Sequence, residues 1–201
     1  MEAIDLIQLQ ITLEYALNDA GQLVSFPGSS EQGLYIVYRY AGGYMPYFSC
    51  RLPDELCDGL RNLGGDQSFE APQTVRWLIQ KYMPCQFDGP FVSEHLIRRP
   101  EPFEFPLVKK QEGLFVILEH GEPVCWAWSE RSNAHCAEAA VETHPDHRRK
   151  GYARQAVAAW AHQIIGEGRV ALYSYKAENH ASQALARSLG AVRYAEVICY
   201  S

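Results

Sequence analysis

The residues with the clearest chemical potential are Arg148-Arg149-Lys150-Gly151-Tyr152-Ala153-Arg154, where a strand-like run passes into a helix-like one. The first amides of a helix have no internal partners and carry the positive end of its dipole. Gly151 and the small Ala153 let an anion approach the backbone, while Arg148, Arg149, Lys150 and Arg154 surround it with charge. A pyrophosphate suits such a place. Taken alone, the segment is more simply a solvated helix start with Gly151 making a turn, so its meaning depends on the elements around it.

Those elements follow from hydrophobic period and turn residues. From 113 the pattern is regular: GLFVILE, a turn at His120-Gly121-Glu122-Pro123, VCWAWSE, a polar loop, and CAEAAVETH (136–144) read as three antiparallel strands. Ala153, Val157, Ala161 and Ile164 give a helix over Gly151 to Ile165, ended by Gly166 and Gly168. VALYSY (170–175), a helix from Ser182 to Leu189 stopped by Gly190, and VRYAEVICY (192–200) complete the run.

Upstream, Ile4 to Asn18 reads as a helix, and LYIVYRY (34–40) with YMPYFSC (44–50) as a hairpin turning on Ala41-Gly42-Gly43. Pro53 opens a helix with Leu56, Leu60 and Leu63 on one face and Gly64-Gly65 at its end, and a second spans Thr74 to Tyr82. Residues 84–112 hold five of the eleven prolines around a strand at 91–97, which places a domain boundary there. The division expected is 1–100, a smaller α+β region, and 101–201.

Composition narrows the classes further. The 201 residues are 47% apolar and 21% charged, the balance of a folded globular chain, with a net charge of -6 that gives no general attraction to nucleic acid or anionic membrane. The start MEAIDLIQLQ has no basic segment leading an apolar core, and no apolar run approaches the ~20 residues that span a bilayer, so a cytoplasmic location is expected. Cys50, Cys57, Cys85, Cys125, Cys136 and Cys199 form no CxxC pair, and most of them read as buried thiols. His135, His144 and His147 match no zinc spacing, and no metal is expected. Trp126 and Trp128 alternate on one strand face with Trp160 nearby, which favours core packing over a substrate cage.

Val141-Glu142-Thr143-His144-Pro145 followed by Arg148-x-x-Gly151-x-Ala153 resembles the R/Q-x-x-G-x-G/A signature of the GNAT superfamily of N-acetyltransferases. The later strand, Asn179-x-x-Ser182 and Leu189-Gly190-Ala191 resemble it in order and spacing, over about 113–200. In detail the chain looks like a bacterial group with an extra N-terminal region. The resemblance implies an α/β fold with a mixed, splayed sheet flanked by helices, and acetyl-CoA as co-substrate between strands 136–143 and 170–175. The backbones of Val141 and Thr143 would then pair with the pantetheine arm. Arg148, Arg149, Lys150, Gly151, Tyr152, Ala153 and Arg154 would hold the pyrophosphate, with Asn179 and Ser182 nearer the thioester. Asn179 also suits a helix N-cap.

Direct transfer to a primary amine needs a base for the amine and an acid for the thiolate. Many relatives carry a glutamate five residues before the asparagine and a tyrosine seven after it. Here those positions are Ser174 and Ala186, so the roles do not carry over. Glu138 and Glu142, on one face of their strand by alternation, are the candidate bases, and a solvated strand face is their plainer reading. Tyr173, Tyr175, Tyr194 and His180 are candidate acids. A non-catalytic acyl-CoA-binding or regulatory module is the alternative, and the N-terminal region would cover the acceptor side or supply a homodimer contact.

Overall fold

The computed structural model describes residues 1–26 and 33–201. In chain order the elements are α1 (Ala3–Glu14), β1 (Ala16–Leu17), β2 (Leu23–Val24), β3 (Tyr35–Tyr40), β4 (Gly43–Phe48), α2 (Asp54–Glu70), α3 (Pro72–Gln80) and β5 (Phe87–Leu96). There follow β6 (Val108–Gln111), β7 (Leu114–Glu119), β8 (Glu122–Ser132), β9 (Cys136–Thr143), α4 (Tyr152–Gly166), β10 (Val170–Lys176), α5 (His180–Ser188) and β11 (Val192–Tyr200). Two compact units result, Met1–Val92 with Tyr194–Ser201, and Ser93–Arg193.

In the first unit β3 pairs antiparallel with both β4 and β11. The expected hairpin is present, with Tyr40 opposite Gly43. Leu56, Leu60, Val75 and Ile79 of the two helices bury against Tyr35, Val37 and Tyr200 of the strands. α1 stops at Glu14 rather than Asn18, because Tyr15 is already extended and leads into β1. Gly64 breaks α2 as its type suggests, at φ 82°, but helical turns resume on its far side to Glu70.

The second unit is a mixed sheet in the order β10-β9-β8-β7-β6, antiparallel except for β10 against β9. Strand β6, outside the sequence-based expectation, is short and mostly exposed, so it gives little alternating signal. α4 lies on one face. Its Ala156, Val157, Ala161 and Ile164 are buried, as are Ala127, Ala137 and Ala139 of the strands, and these small side chains let helix and sheet approach closely. Trp160, fully buried, donates from Nε1 to Ser129 Oγ at 2.9 Å and marks the covered face. No described helix is long and apolar enough to cross a membrane.

Candidate active site

The parallel ladder between β9 and β10 covers Val170↔Cys136, Ala171↔Ala137 and Leu172↔Glu138. Both strands continue past it, β9 to Thr143 and β10 to Lys176, with no further rungs. One edge of β9 therefore has no ladder from Ala139 onward. The pairing with β8 shows which backbone groups face that edge. His144 donates its amide to the Val124 carbonyl at 2.9 Å, so Cys125↔Thr143 is a non-hydrogen-bonded pair. Two and four residues back, Ala127↔Val141 and Ser129↔Ala139 share that phase. Val141 and Thr143, the two positions singled out in the sequence, thus turn their amides and carbonyls toward the gap. Ala139, which sequence reading missed, stands in the same phase where the ladder ends.

Beyond β9, a 3₁₀ turn at Pro145–His147 and the loop Arg148–Gly151 lead into α4. Arg149 (φ 64°) and Gly151 (φ 77°) are both left-handed, and Gly151 is the N-cap with no side chain to accept from the helix. The first helical bond is Gln155 N–H to the Gly151 carbonyl, so the amides of Gly151, Tyr152, Ala153 and Arg154 donate to no described group. A Cβ on Gly151 would meet nothing within 4 Å, which leaves open space beside those amides. Unpartnered amides and open space thus stand where the sequence led an anion site to be expected.

The basic side chains around it are less available than the sequence suggests. Arg148 Nε donates to the Thr143 carbonyl at 3.2 Å and ties the loop back to β9. Lys150 Nζ lies 3.2 Å from Glu119 Oε1, and the Tyr152 hydroxyl donates to the same carboxylate. Those two partners, Tyr152 first and then Lys150, hold the Glu119 carboxyl below its ordinary range, and Glu119 raises the Tyr152 phenol. Arg154 bonds the Ser188 carbonyl at 3.2 Å and Glu104 Oε2 at 3.3 Å. Arg149 alone of the four cations is engaged by no described partner. Glu119 and Glu104 were not foreseen because nothing in their local sequence separates them from solvated acids.

Glu138 and Glu142 share the sheet face turned away from α4, as alternation requires, but differ in setting. Glu138 is 4% exposed, accepts from the Ser174 hydroxyl, and lies 3.2 Å from Arg131 Nη1. Glu142 is exposed, opposite Trp126 in the ladder. Position 174, where relatives are expected to keep a glutamate, thus holds a serine that donates to a carboxylate from the neighbouring strand. Arg131 was not anticipated. A register shift between Ser129 and Arg131 alters the alternation that would have placed it.

Trp126 and Trp128 stand on this same face and are only half-buried, which corrects the expectation of core packing. Trp160 is not beside them, since it packs on the opposite face. Trp128 Nε1 donates to Glu130 at 2.9 Å.

On the α5 side of β10, burial raises the Tyr173 phenol, with Ser182 opposing the shift. Tyr175 donates to Glu94 Oε1 at 3.0 Å, and burial followed by that carboxylate pushes its phenol up to about 12. Burial likewise raises the Glu94 carboxyl, whose second oxygen has no partner. Asn179 caps α5, its Oδ1 accepting from Ser182 N at 3.1 Å. Tyr194 donates to Gln10 within the first unit, at 2.7 Å, and His180 is exposed at the start of α5. The six cysteines are free thiols, and most are buried as expected: Cys57, Cys85, Cys125 and Cys136 are, while Cys50 is exposed and Cys199 half-buried. His144 and His147 meet edge to face with ring centres 5.6 Å apart, and His147 Nδ1 lies 3.1 Å from Glu119. Among the described residues no three potential metal ligands come together.

Residues 108–200 match the family model of the GNAT acetyltransferases. That portion is matched as a GNAT acetyltransferase domain, the domain of an acyltransferase family. A GNAT-family acetyltransferase structure from Colwellia psychrerythraea aligns over 100% of this chain and 97% of its own, at 12% identity and a TM-score of 0.55. A GNAT-family structure from Novosphingobium aromaticivorans aligns over 58% of this chain, at 16% identity and a TM-score of 0.50, and 66% of its own length is spanned. At such identities the likeness is one of fold. No curated protein matches the sequence.

Proposed function

We propose that this protein moves an acetyl group from acetyl-CoA to a primary amine by direct transfer. The observation that carries the reading is the end of the β9–β10 ladder at Glu138 and Leu172, with β9 backbone outside any ladder on that edge leading to the uncapped head of α4. Such an edge pairs with amides of an extended chain as an added strand does, and the helix head suits a diphosphate. The arm and phosphates of a CoA ester have that sequence of groups. Gly151, Tyr152, Ala153 and Arg154 would offer their amides to the pyrophosphate with Arg149 as counter-charge, and Val141 and Thr143 would pair with the arm. Lys150, Tyr152 and Arg154 would shape the loop with their side chains through Glu119 and Glu104.

Glu138 is the better placed of the two candidate bases. Its carboxylate is bonded by Ser174 at the point where the strands part, and accepts the amine proton directly or through a water. Glu142 sits further along β9 and would face the acceptor. Tyr173, buried on the α5 side of β10, is the candidate donor to the departing thiolate, standing in for the tyrosine absent at Ala186.

The test is release of free CoA thiol from acetyl-CoA across a panel of primary amines, amino acids and peptides. Release with one acceptor class and not with water alone is expected. Acetyl-CoA binding with no release for any acceptor would sink the transfer reading, and absence of acetyl-CoA binding would sink the donor site itself.

A further inference from the structure

The far end of α4 borders a recess lined by none of the residues assigned to acyl transfer. We infer that this recess binds a small carboxylate with an aromatic or branched apolar body. Its volume of about 470 Å³ falls within the ~300–1,000 Å³ typical of small-molecule clefts. Phe105, Val108, Phe115 and Ala159 supply its apolar lining, and Arg99 and Lys110 its cations.

Arg99 is held for binding by neutral groups. Its Nε donates to the His162 carbonyl at 3.0 Å, and its Nη2 lies 3.0 Å from His162 Nε2. His162 Nδ1 is 2.7 Å from the Pro100 carbonyl, which can only accept, so Nδ1 carries the proton and Nε2 accepts from Arg99. The guanidinium is thereby oriented without being neutralised. Of its five N–H groups about three stay open, and they form the planar edge a carboxylate fits. Gly166 permits this placement, since a Cβ there would fall 2.6 Å from Arg99 Nη2.

Lys110 Nζ bonds the Gln163 amide oxygen at 2.6 Å and lies 5.8 Å from the centre of the Phe115 ring. Glu167, the acid in the lining, is bound by Arg169 Nη2 at 2.6 Å and by Gln163 Nε2 at 2.7 Å. The last turn of a helix carries the negative end of its dipole and by itself opposes an anion. Two cations facing it, with Glu167 matched by Arg169, leave the recess positive. An apolar floor beneath one planar cation favours a monoanion with a ring or branched body over inorganic phosphate. Gly166 and Gly151 stand 15 residues apart, ~22 Å along α4 at 1.5 Å per residue, so this ligand and a CoA ester can bind together.

Calorimetric titration of the full chain with 3-phenylpropionate, 3-phenylpropionamide, propionate and inorganic phosphate tests the inference. The first should bind, and the other three, lacking the charge, the ring or the shape, should bind at least about tenfold more weakly. Arg99→Gln should weaken 3-phenylpropionate by a similar factor, and Lys110→Gln, an exposed substitution, by less. Saturating CoA should leave the affinity unchanged whether or not the proposed transfer occurs. Equal binding of the amide, no 3-phenylpropionate binding below about 10 mM, or its displacement by CoA would each overturn the assignment.

Discussion

Two regions of the second unit face the same gap and are built from different materials. The region proposed to hold the acyl donor, at the head of α4, is main chain: free amides, a left-handed Gly151 and the edge of β9 beyond its ladder. The cluster where the strands part is side chain: Glu138, Ser174 and Arg131, drawn from three strands. A main-chain site tolerates replacement of most side chains around it, whereas a side-chain cluster fails when one member is removed. The first should govern how firmly the acyl donor is held, and the second how fast it reacts.

The largest effect expected is at Glu138. Glu138→Gln keeps the shape and both hydrogen-bond neighbours but cannot take a proton, so turnover at saturating donor should fall ~10²-fold or more. The Michaelis constant for acetyl-CoA should hardly move. The deficit should shrink as pH rises, because the amine then deprotonates unaided. Removing the charge also leaves Arg131 facing a neutral partner, so a thermal melt must accompany the rates. A folded variant with normal turnover would return the base role to Glu142 or to positioning alone, and the contrast between the regions would collapse.

That contrast also explains what the sequence disclosed. Strands β7 to β10 and helix α4 were legible because their apolar residues repeat at strand or helix period over six or more positions. The cradle was legible because a glycine between basic residues at a helix start is a local pattern. The partners of those basic residues were not: Glu119 lies 31 residues from Lys150, and Glu104 lies 50 from Arg154, so only folding brings them together. The same holds for Ser174 and Glu138, 36 residues apart. From sequence a serine at 174 reads as a lost carboxylate, and it takes the β9–β10 register to show one arriving from the adjacent strand. Trp126 and Trp128 misled because period identifies a shared face but not whether anything covers it.

A smaller effect is expected at the cradle. With Lys150 and Arg154 occupied by carboxylates and Arg148 by the Thr143 carbonyl, Arg149 is left to supply counter-charge. Arg149→Ala should raise the Michaelis constant for acetyl-CoA by about tenfold, the worth of one charge-assisted contact, with maximal rate nearly intact. Raising salt should weaken donor binding in the parent more than in the variant. Lys150→Ala should do less to the Michaelis constant, since its charge is already answered by Glu119. A selective fall in maximal rate for Arg149→Ala would move that residue from the cradle into the chemistry.

The smallest effect concerns the second helix at the gap. α4 begins at a glycine that cannot cap it, whereas α5 begins at Asn179, whose Oδ1 already accepts from Ser182 N. One helix head is therefore open to an anion and the other is closed by its own side chain. Asn179→Ala should cost ~1 kcal/mol, the usual worth of an N-cap, which for a chain of this length lowers the melting midpoint by roughly 2–4 °C. Asn179→Asp keeps the accepting oxygen and should recover most of that loss. The aspartate cannot, however, replace the donor at Nδ2, the group that would meet the cofactor arm in the proposed reading. If Asn179→Asp melts like the parent but binds acetyl-CoA several-fold more weakly, the residue both caps the helix and contacts the donor. If the aspartate restores stability and affinity alike, capping is its whole role, and the donor is held from the β9 edge and the α4 head alone.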